Sequence, residues 1–385
     1  MFMIEKAFKG GREYWIWLTC LLSIIVIGFC FYLRQLDVGL AITGLSRDVS
    51  WGLYIAQFTF FVGVAASAVM VVLPYYLHDA KEFGRVAILG EFLAISAVVV
   101  CMLFIFVDLG QPARILNIIL YPAPRSLMFW DMISMSGYLL LNAIMAFVSL
   151  RAEYEESRAP QWIKPLALIS IPWAVSIHTV TAFLYSGLAG RSFWLTAILA
   201  PRFLASAFAA GPALLILLCL ALEKFASYDA GKEAIKKLAV IMTYAMAMNV
   251  FFVLVETFTV LYSGIPEHLE HFKYLYFGLD GSFNLVAWMW TSMLFAIAAV
   301  VLLLTPAWRG RFLPLACVLV FLSLLLDKGL GLIVGGFVPS PLGSVTHYAP
   351  TLPECCIVAG IWALGAFLIT VFYKIVLMVR KRVAG

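Results

Sequence analysis

Several ionisable side chains of this sequence lie inside apolar stretches, where they could carry proton or electron chemistry. The stretch WAVSIHTVTAFLYSG, residues 173–187, places His178 in the middle of an apolar run. The run FFVLVETFTVLYSG contains Glu256, and LSLLLDKGLGLIVGG contains Asp327 beside Lys328. An ionisable group in hydrocarbon costs free energy, so such a residue is paired, faces a cavity or belongs to a proton path. These four residues are therefore the first candidates for function.

The composition is that of a multi-spanning membrane protein. Of the 385 residues, 64% are hydrophobic and 12% are charged, whereas about 25% are charged in a soluble domain. Ten apolar runs reach about 20 residues, the length that crosses a bilayer. We predict an all-α polytopic membrane protein whose ten spans are Tyr14–Leu33, Trp51–Leu77, Val86–Val107, Leu127–Leu150, Leu166–Leu188, Phe203–Leu222, Leu238–Tyr262, Phe283–Leu304, Phe312–Val334 and Ile357–Met378.

We predict a single integral membrane domain over residues 1–385, with an internal parallel repeat. Spans two to five, about 50–188, and six to nine, about 202–335, form the two units, and the first and tenth spans flank them. An offset of about 150 residues brings His178 onto Lys328 and Asp108 close to Glu256. Both units then have the same orientation in the membrane, so their polar sites converge between the halves.

The distribution of Lys and Arg predicts the topology. With the N-terminus inside, cytoplasmic segments hold 18 of these residues and the opposite side holds seven, Arg202 among them. The positive-inside rule then places both termini in the cytoplasm of a multi-pass protein of the cytoplasmic (inner) membrane. We expect no cleavable signal, because the first apolar run is too long for a signal peptide. The net charge of +5 reflects this topology and not nucleic-acid binding.

Most of the intramembrane ionisable groups are predicted in the outer half of the bundle. At 1.5 Å per helical residue, His178 lies near mid-membrane. Towards the outer side lie Asp108, Asp131, Glu256, Asp327, Lys328 and Glu354, and Glu91 alone lies clearly nearer the cytoplasm. Scattered structural polar residues have no reason to choose one leaflet. This asymmetry predicts an outward-facing polar site.

Structural roles remain as alternatives for each of these residues. Asp108 and Asp131 could be boundary residues wetted by headgroups, and His178 could be a satisfied interhelical hydrogen bonder. An unpaired Lys or Asp at the bilayer centre costs about 2.5–3.5 kcal/mol. We therefore predict that Lys328 neutralises Asp327 or Glu256 in a buried cluster between the seventh and ninth spans.

Resident redox cofactors are not expected in this chain. The seven cysteines form no C-x-x-C motif, and five lie in apolar runs as small buried residues, so no metal site is assigned. Each b-type haem needs two deep axial histidines, and only His178 is deep. We expect no haem, flavin or iron–sulfur cluster. The outer loops are dense in Pro, Gly and aromatic residues, which suits the docking of another subunit.

Three stretches resemble the NrfD/PsrC superfamily of quinone-interacting membrane subunits. DLGQPAR followed by PAPRSLMFWDMISMSGYLLLN is similar to the family's signature for helices 3 and 4, and SIHTVTAFLYSGLAGRSFWLTAILAPRFLASAFAAG to its helix 5–6 region. The ten spans and FVPSPLGSVTHYAPTLPE look most like DsrP of the DsrMKJOP complex or its Hmc-type relatives. The resemblance covers nearly the whole chain.

The resemblance implies two four-helix bundles with flanking helices and a menaquinol site towards the outer face. It also implies electron exchange with a periplasmic-side, ferredoxin-like iron–sulfur subunit, alongside other membrane and cytochrome subunits. In alternative complex III relatives, the histidine matching His178 is proposed to bind quinol with a carboxylate six residues later. That position is Leu184 here, so the second proton acceptor must come from Asp108 or Glu256.

Quinol oxidation fits these residues chemically, because it releases two protons and two electrons. Histidine, with an ordinary pKa of about 6.5, suits one proton acceptor and a carboxylate the other. We predict His178 and Asp108 as the catalytic residues, with Tyr185 and Glu256 completing the quinone site. The predicted proton path comprises Glu256, Asp327, Lys328, Glu354 and Glu91.

The chain is thus expected to be a subunit of a menaquinol-dependent oxidoreductase complex linked to sulfur metabolism, and not an enzyme alone. Proton movement could accompany electron transfer. A secondary transporter or proton channel would use the same ionisable residues as a transport path. A membrane anchor that only holds a redox partner would not need the buried His178.

Overall fold

Ten long apolar helices make up the bundle, as the sequence predicts. The computed structural model describes residue 5 and residues 10–78, 80–157 and 159–384, with side chains to 381. The helices are α1 Arg12–Val38, α2 Leu53–Leu77, α3 Lys81–Asp108, α4 Leu127–Tyr154, α5 Ile163–Ser186, α6 Leu199–Ala226, α7 Lys232–Ser263, α8 Val286–Leu304, α9 Leu313–Phe337 and α10 Leu352–Lys381. No strand occurs within the described ranges, so the all-α polytopic prediction is confirmed.

The helices pack in two groups joined along α2. Helices α2 to α5 pack mainly on one another, as do α6 to α9, and α1 packs along α10, which itself lies on α3. Helix α2 is the most buried and contacts both α6 and α9. At one such crossing, a Cβ on Gly211 of α6 would lie 2.7 Å from the backbone nitrogen of Ser67. Only glycine permits so close an approach of the two backbones.

Two helices depart from α geometry, and one of the two departures carries residues of the candidate site. Helix α2 is interrupted between Ala65 and Val69 and ends in a π-helical turn over Leu73–Leu77, where Pro74 cannot donate a backbone hydrogen bond. Helix α9 contains the π-helical segment Leu325–Gly331, which carries Asp327 and Lys328. Such π segments recur at functional sites, because they re-aim side chains that a regular helix would point elsewhere.

The two ends of the bundle differ in loop length. At the end that we name the long-loop end, the connections are residues 39–52, 109–126, 187–198, 264–285 and 338–351. The connections at the opposite end are shorter. The long-loop end is the end that the distribution of basic residues predicts to face the periplasmic side. Three of the basic residues used for that prediction are not among the described residues: Lys6, Lys9 and Arg158.

A short helix, Pro266–Tyr276, covers part of the long-loop end. Its His271 is buried: Nδ1 lies 2.7 Å from the carbonyl oxygen of Gly335 and 2.9 Å from that of Val338, and Nε2 lies 3.2 Å from Ser192 Oγ. The two carbonyls can only accept, so Nδ1 carries the proton and Ser192 donates to Nε2. Burial lowers the pKa of His271 below its ordinary value of 6.5. A neutral His271 therefore fastens this short helix to the end of α9.

Candidate functional site

His178 lies deep in α5 and is fully buried. It stands eight residues before the end of the helix, about 12 Å below the long-loop end at 1.5 Å per residue. Among the described residues, neither ring nitrogen has a hydrogen-bond partner. Burying two polar atoms without partners costs free energy, so this arrangement needs an explanation in function or in strain. The structural alternative, in which His178 makes a hydrogen bond between helices, therefore does not hold among the described residues.

A row of polar groups, hydrogen-bonded in separate pairs, leads from the level of His178 towards the long-loop end. Thr181 and Tyr185 follow His178 by three and seven residues, so they share its face of α5. Thr181 Oγ1 donates to Asp131 Oδ1 on α4 over 2.7 Å. The hydroxyls of Tyr185 and Thr59, on α2, are 2.5 Å apart. Three helices therefore contribute hydroxyl or carboxyl groups to one buried row.

The row continues at the ends of α1, α2 and α3. Tyr54 donates its phenolic proton to Gln35 Oε1 over 2.7 Å, and Gln35 Nε2 donates to the carbonyl oxygen of Val107 over 2.6 Å. Asp108 lies close enough to both Tyr54 and Tyr185 to act on them electrostatically. Its Oδ1 is buried and has no hydrogen-bond partner within the described part of the chain. Asp108 and Tyr185, two of the predicted site residues, are therefore brought together with the row that begins at His178.

An aromatic cluster joins this row to the second half of the bundle. Trp51 and Trp194 stack with ring centroids 6.0 Å apart, and Tyr185 lies 5.7 Å from Trp51 and 5.9 Å from Phe203. Lys328 Nζ lies 4.2 Å from the centre of the Phe203 ring. The charge of Lys328 reaches His178 electrostatically. His178 of the first group of helices and Lys328 of the second therefore lie within electrostatic range of each other.

Glu256 and Asp327 form an ion-pair triad with Arg202 of α6. Arg202 Nη1 lies 2.6 Å from Glu256 Oε2, and Nη2 lies 2.8 Å from both carboxylate oxygens of Asp327. The side chains of Arg202, Glu256 and Asp327 are 12%, 10% and 12% exposed. The prediction that Lys328 neutralises these carboxylates was wrong. The neutralising residue is Arg202, which was counted from the sequence only among the basic residues of the outer side. Arg202 lies three residues inside α6, within reach of both carboxylates.

Lys328 takes no part in that triad. Its Nζ is buried without a hydrogen-bond partner among the described residues and is directed towards Phe203 and Gly63, where an added Cβ would lie 3.3 Å away. Neighbouring residues of a helical segment do not point at the same partner, and here Asp327 faces Arg202 while Lys328 faces α2. The predicted cluster of Glu256 with Asp327 therefore exists, but its cation is Arg202.

The two remaining residues of the predicted proton path lie at opposite ends. Glu354, at the start of α10, accepts hydrogen bonds from the Tyr348 hydroxyl over 2.5 Å and from the backbone nitrogens of Leu53 and Gly44 over 3.2 and 3.1 Å. Glu91 of α3 is fully buried towards the other end, and neither carboxylate oxygen has a partner in the described ranges. Glu354 therefore fastens two loops together, whereas Glu91 has no evident structural partner.

The family of the chain is settled by its similarity to known proteins. The family model described as "Polysulphide reductase, NrfD" matches residues 41–339, more than three quarters of the chain. The chain belongs to the NrfD family. This NrfD protein is 27% identical to a putative dimethyl sulfoxide reductase membrane subunit of Halobacterium salinarum, over 92% of this chain and 89% of that protein. It is 23% identical to the "Hdr-like menaquinol oxidoreductase integral membrane subunit" of Archaeoglobus fulgidus, over 98% and 97%.

A third relative belongs to another reductase. This NrfD protein is 23% identical to a selenate reductase subunit of Mesobacillus selenatarsenatis, over 68% of this chain and 69% of that protein. The NrfD assignment confirms the family predicted from the motifs. It also makes the chain a membrane subunit of the reductase-complex type, for which partner subunits are expected.

Two features of this NrfD protein were missed from its sequence. Arg202 had a visible signal, because PRFLASAF places a cation at the outer end of an apolar span, near the predicted depth of two carboxylates. Thr181 is part of the same SIHTVT stretch as His178, three residues later. Its bond to Asp131 is a tertiary contact that no spacing could specify.

Proposed function

We propose that this NrfD protein binds menaquinol and passes its electrons to an iron–sulfur partner subunit at the long-loop end. The observation that carries this proposal is His178, which is buried without a hydrogen-bond partner among the described residues. It stands at the inner end of a polar row that contains the Thr181–Asp131 and Thr59–Tyr185 hydrogen bonds. The menaquinol oxidoreductase relative, which aligns over nearly the whole chain, supports the choice of menaquinol.

The residues divide the proton chemistry of quinol oxidation between them. One quinol loses two protons and two electrons as it becomes a quinone. His178 accepts one proton at a ring nitrogen, and the other passes towards the long-loop end to Asp108, whose Oδ1 has no partner among the described residues. Tyr185 orients the ring through its hydroxyl. Glu256 has a lesser role than the sequence suggested, because Arg202 occupies its carboxylate.

The two electrons leave through the long-loop end, which we propose faces the periplasm. The short helix Pro266–Tyr276 and the 109–126 loop offer docking surface there for a ferredoxin-like iron–sulfur subunit. No haem, flavin or iron–sulfur cluster in this chain is needed for such a transfer. In this proposal the protein lies in the cytoplasmic membrane, with both termini in the cytoplasm. The partner complex is of the DsrP or Hmc type and is linked to sulfur metabolism.

The test is electron transfer in the assembled complex carrying His178→Ala. Menaquinol-dependent turnover should fall at least about 100-fold, as expected for loss of a general base, while the complex still assembles. His78→Ala, at the opposite end of the bundle, is the matched control and should keep wild-type turnover. Unchanged turnover in His178→Ala would return this residue to a structural role.

Proton coupling is a separate part of the proposal. Glu91 has no partner in the described ranges and lies deeper in the bundle than His178, on the side away from Asp131. We propose that it supplies protons from the other membrane face. In reconstituted vesicles, a coupled complex releases more than two protons per quinol. Glu91→Gln should reduce the yield to two. An equal yield above two in both forms would remove Glu91 from the path, and a wild-type yield of two would leave the complex without a pump.

A further inference from the structure

The bundle contains a large cavity at its long-loop end, and His178 is not among the residues that line it. It has a volume of about 420 Å³ and lies between the end of α1 and the start of the 109–126 loop. We name it the access cavity. Its lining includes Tyr32, Gln35, Leu36, Leu109, Gln111 and Ala113.

The size of the access cavity suits an aromatic ring and not only a water molecule. Cavities that hold small molecules measure about 300–1,000 Å³, so the access cavity falls within that range. Two other cavities beside the Arg202 triad have volumes of only about 10 Å³ each, which is the space of one water. Of these three cavities, the access cavity alone can accept a substituted ring, and its walls are mainly apolar.

The polar groups in the wall are hydrogen-bond donors with capacity to spare. Tyr32 Oη is buried and has no partner among the described residues. Gln35, one turn later on the same face of α1, donates one amide hydrogen to Val107, which leaves its second hydrogen. A buried phenol without a partner costs free energy, and an oxygen of a bound ring would remove that cost by accepting its proton.

The access cavity also adjoins the polar row that leads to His178. Gln35 accepts the hydrogen bond of Tyr54, and Tyr54 lies within electrostatic range of Asp108. Leu109, which lines the cavity, follows Asp108 directly in the chain. A ring held in the cavity is therefore adjacent to Asp108, one of the two residues proposed to take its protons.

The cavity lies beside the lipid-facing surface of α1. Leu33 and Leu36 of this helix are about half exposed on the surface that contacts lipid. In the loop beyond the cavity, four large apolar residues are exposed as well: Ile115, Leu116, Ile119 and Leu120. Such a rim suits the bilayer interface, and it fits a lipid-soluble molecule that carries hydrogen-bond acceptors.

We infer that the access cavity is the first docking position of the quinone ring on its way from the bilayer to the His178 site. There Tyr32 and Gln35 donate to the ring oxygens before the ring moves inward past Asp108. This inference rests on the proposed function, and it adds a second, outer position for the same substrate.

The experiment combines kinetics with photolabelling of the assembled complex in nanodiscs. Ala113→Trp fills the cavity and should raise KM for quinol about tenfold, and Tyr32→Phe should raise it about fivefold, each with a smaller change in kcat. Leu33→Trp, on the lipid side of the same helix, is the control and should leave both constants unchanged. An azidoquinone should label peptides spanning residues 32–40 or 109–113, and a short-chain quinone should compete for that label.

Further outcomes separate this inference from the proposed function. His178→Ala should lower turnover at least about 100-fold yet keep the label in the access cavity. If His178→Ala is inactive while Ala113→Trp and Tyr32→Phe behave as wild type, the proposed function stands and the access cavity is not a quinone position. If quinol supports no turnover and no label forms, both fail. Competition by phospholipid and not by quinone would identify a lipid site and overturn the inference.

Discussion

Replacing Arg202 by Met should destabilise the bundle more than any single neutralisation of its partners. The substitution removes one positive charge and leaves the carboxylates of Glu256 and Asp327 facing each other, each about a tenth exposed. Three charge-assisted contacts of 2.6 to 2.8 Å are lost at once. Breaking a buried pair by removing one partner costs about 3–5 kcal/mol, so we expect a loss of that size for Arg202→Met.

The charge balance predicts the order of the other variants. Glu256→Gln leaves Arg202 paired with Asp327 as a neutral pair, and it should cost at most about 2 kcal/mol. The triple variant Arg202→Met, Glu256→Gln, Asp327→Asn has no unpaired charge and should recover most of the loss, since a buried ionic network can be replaced by neutral groups. Lys328→Met should change stability less than Arg202→Met, because Lys328 Nζ has no hydrogen-bond partner in the described ranges.

The assay is thermal unfolding of the purified complex in detergent, with size-exclusion chromatography as a check on assembly. The denaturation midpoints should rise in the order Arg202→Met, the triple variant, Glu256→Gln, wild type. A wild-type midpoint for Arg202→Met would refute the triad as a stabilising element. A triple variant less stable than Arg202→Met would show that the cost does not come from unpaired charge.

Two further predictions concern single contacts. Because burial lowers the pKa of His271 from 6.5, the unfolded chain binds more protons below about pH 6.5, so thermal stability should fall as the pH drops through that window. His271→Asn should flatten this dependence, and an equally steep profile in the variant would contradict the argument. Thr181→Val removes the 2.7 Å bond to Asp131 and should lower kcat/KM for quinol about tenfold. Thr179→Val, whose hydroxyl bonds only to its own helix, is the control and should stay within about twofold of wild type.

The sequence by itself determined the all-α membrane fold, because a continuous apolar run of about 20 residues has few alternatives to a transmembrane helix. Ten such runs were visible, and all ten are helices. The same hydropathy pattern marked His178, Glu91 and Asp327 as ionisable residues within apolar runs, where an unpaired charge costs free energy. The family followed from motifs such as DLGQPAR, which are local in the chain.

Only the tertiary structure decided which of these ionisable side chains contact one another. Helix rotation and crossing place Arg202, rather than Lys328, between Glu256 and Asp327, and the π-helical segment of α9 changes where its side chains point. Likewise, the access cavity depends on how α1 packs beside the 109–126 loop, about 70 residues later in the chain. A sequence gives the depth of a side chain in the membrane, at a fixed rise per residue, but its direction and partner depend on packing between helices that are distant in the chain.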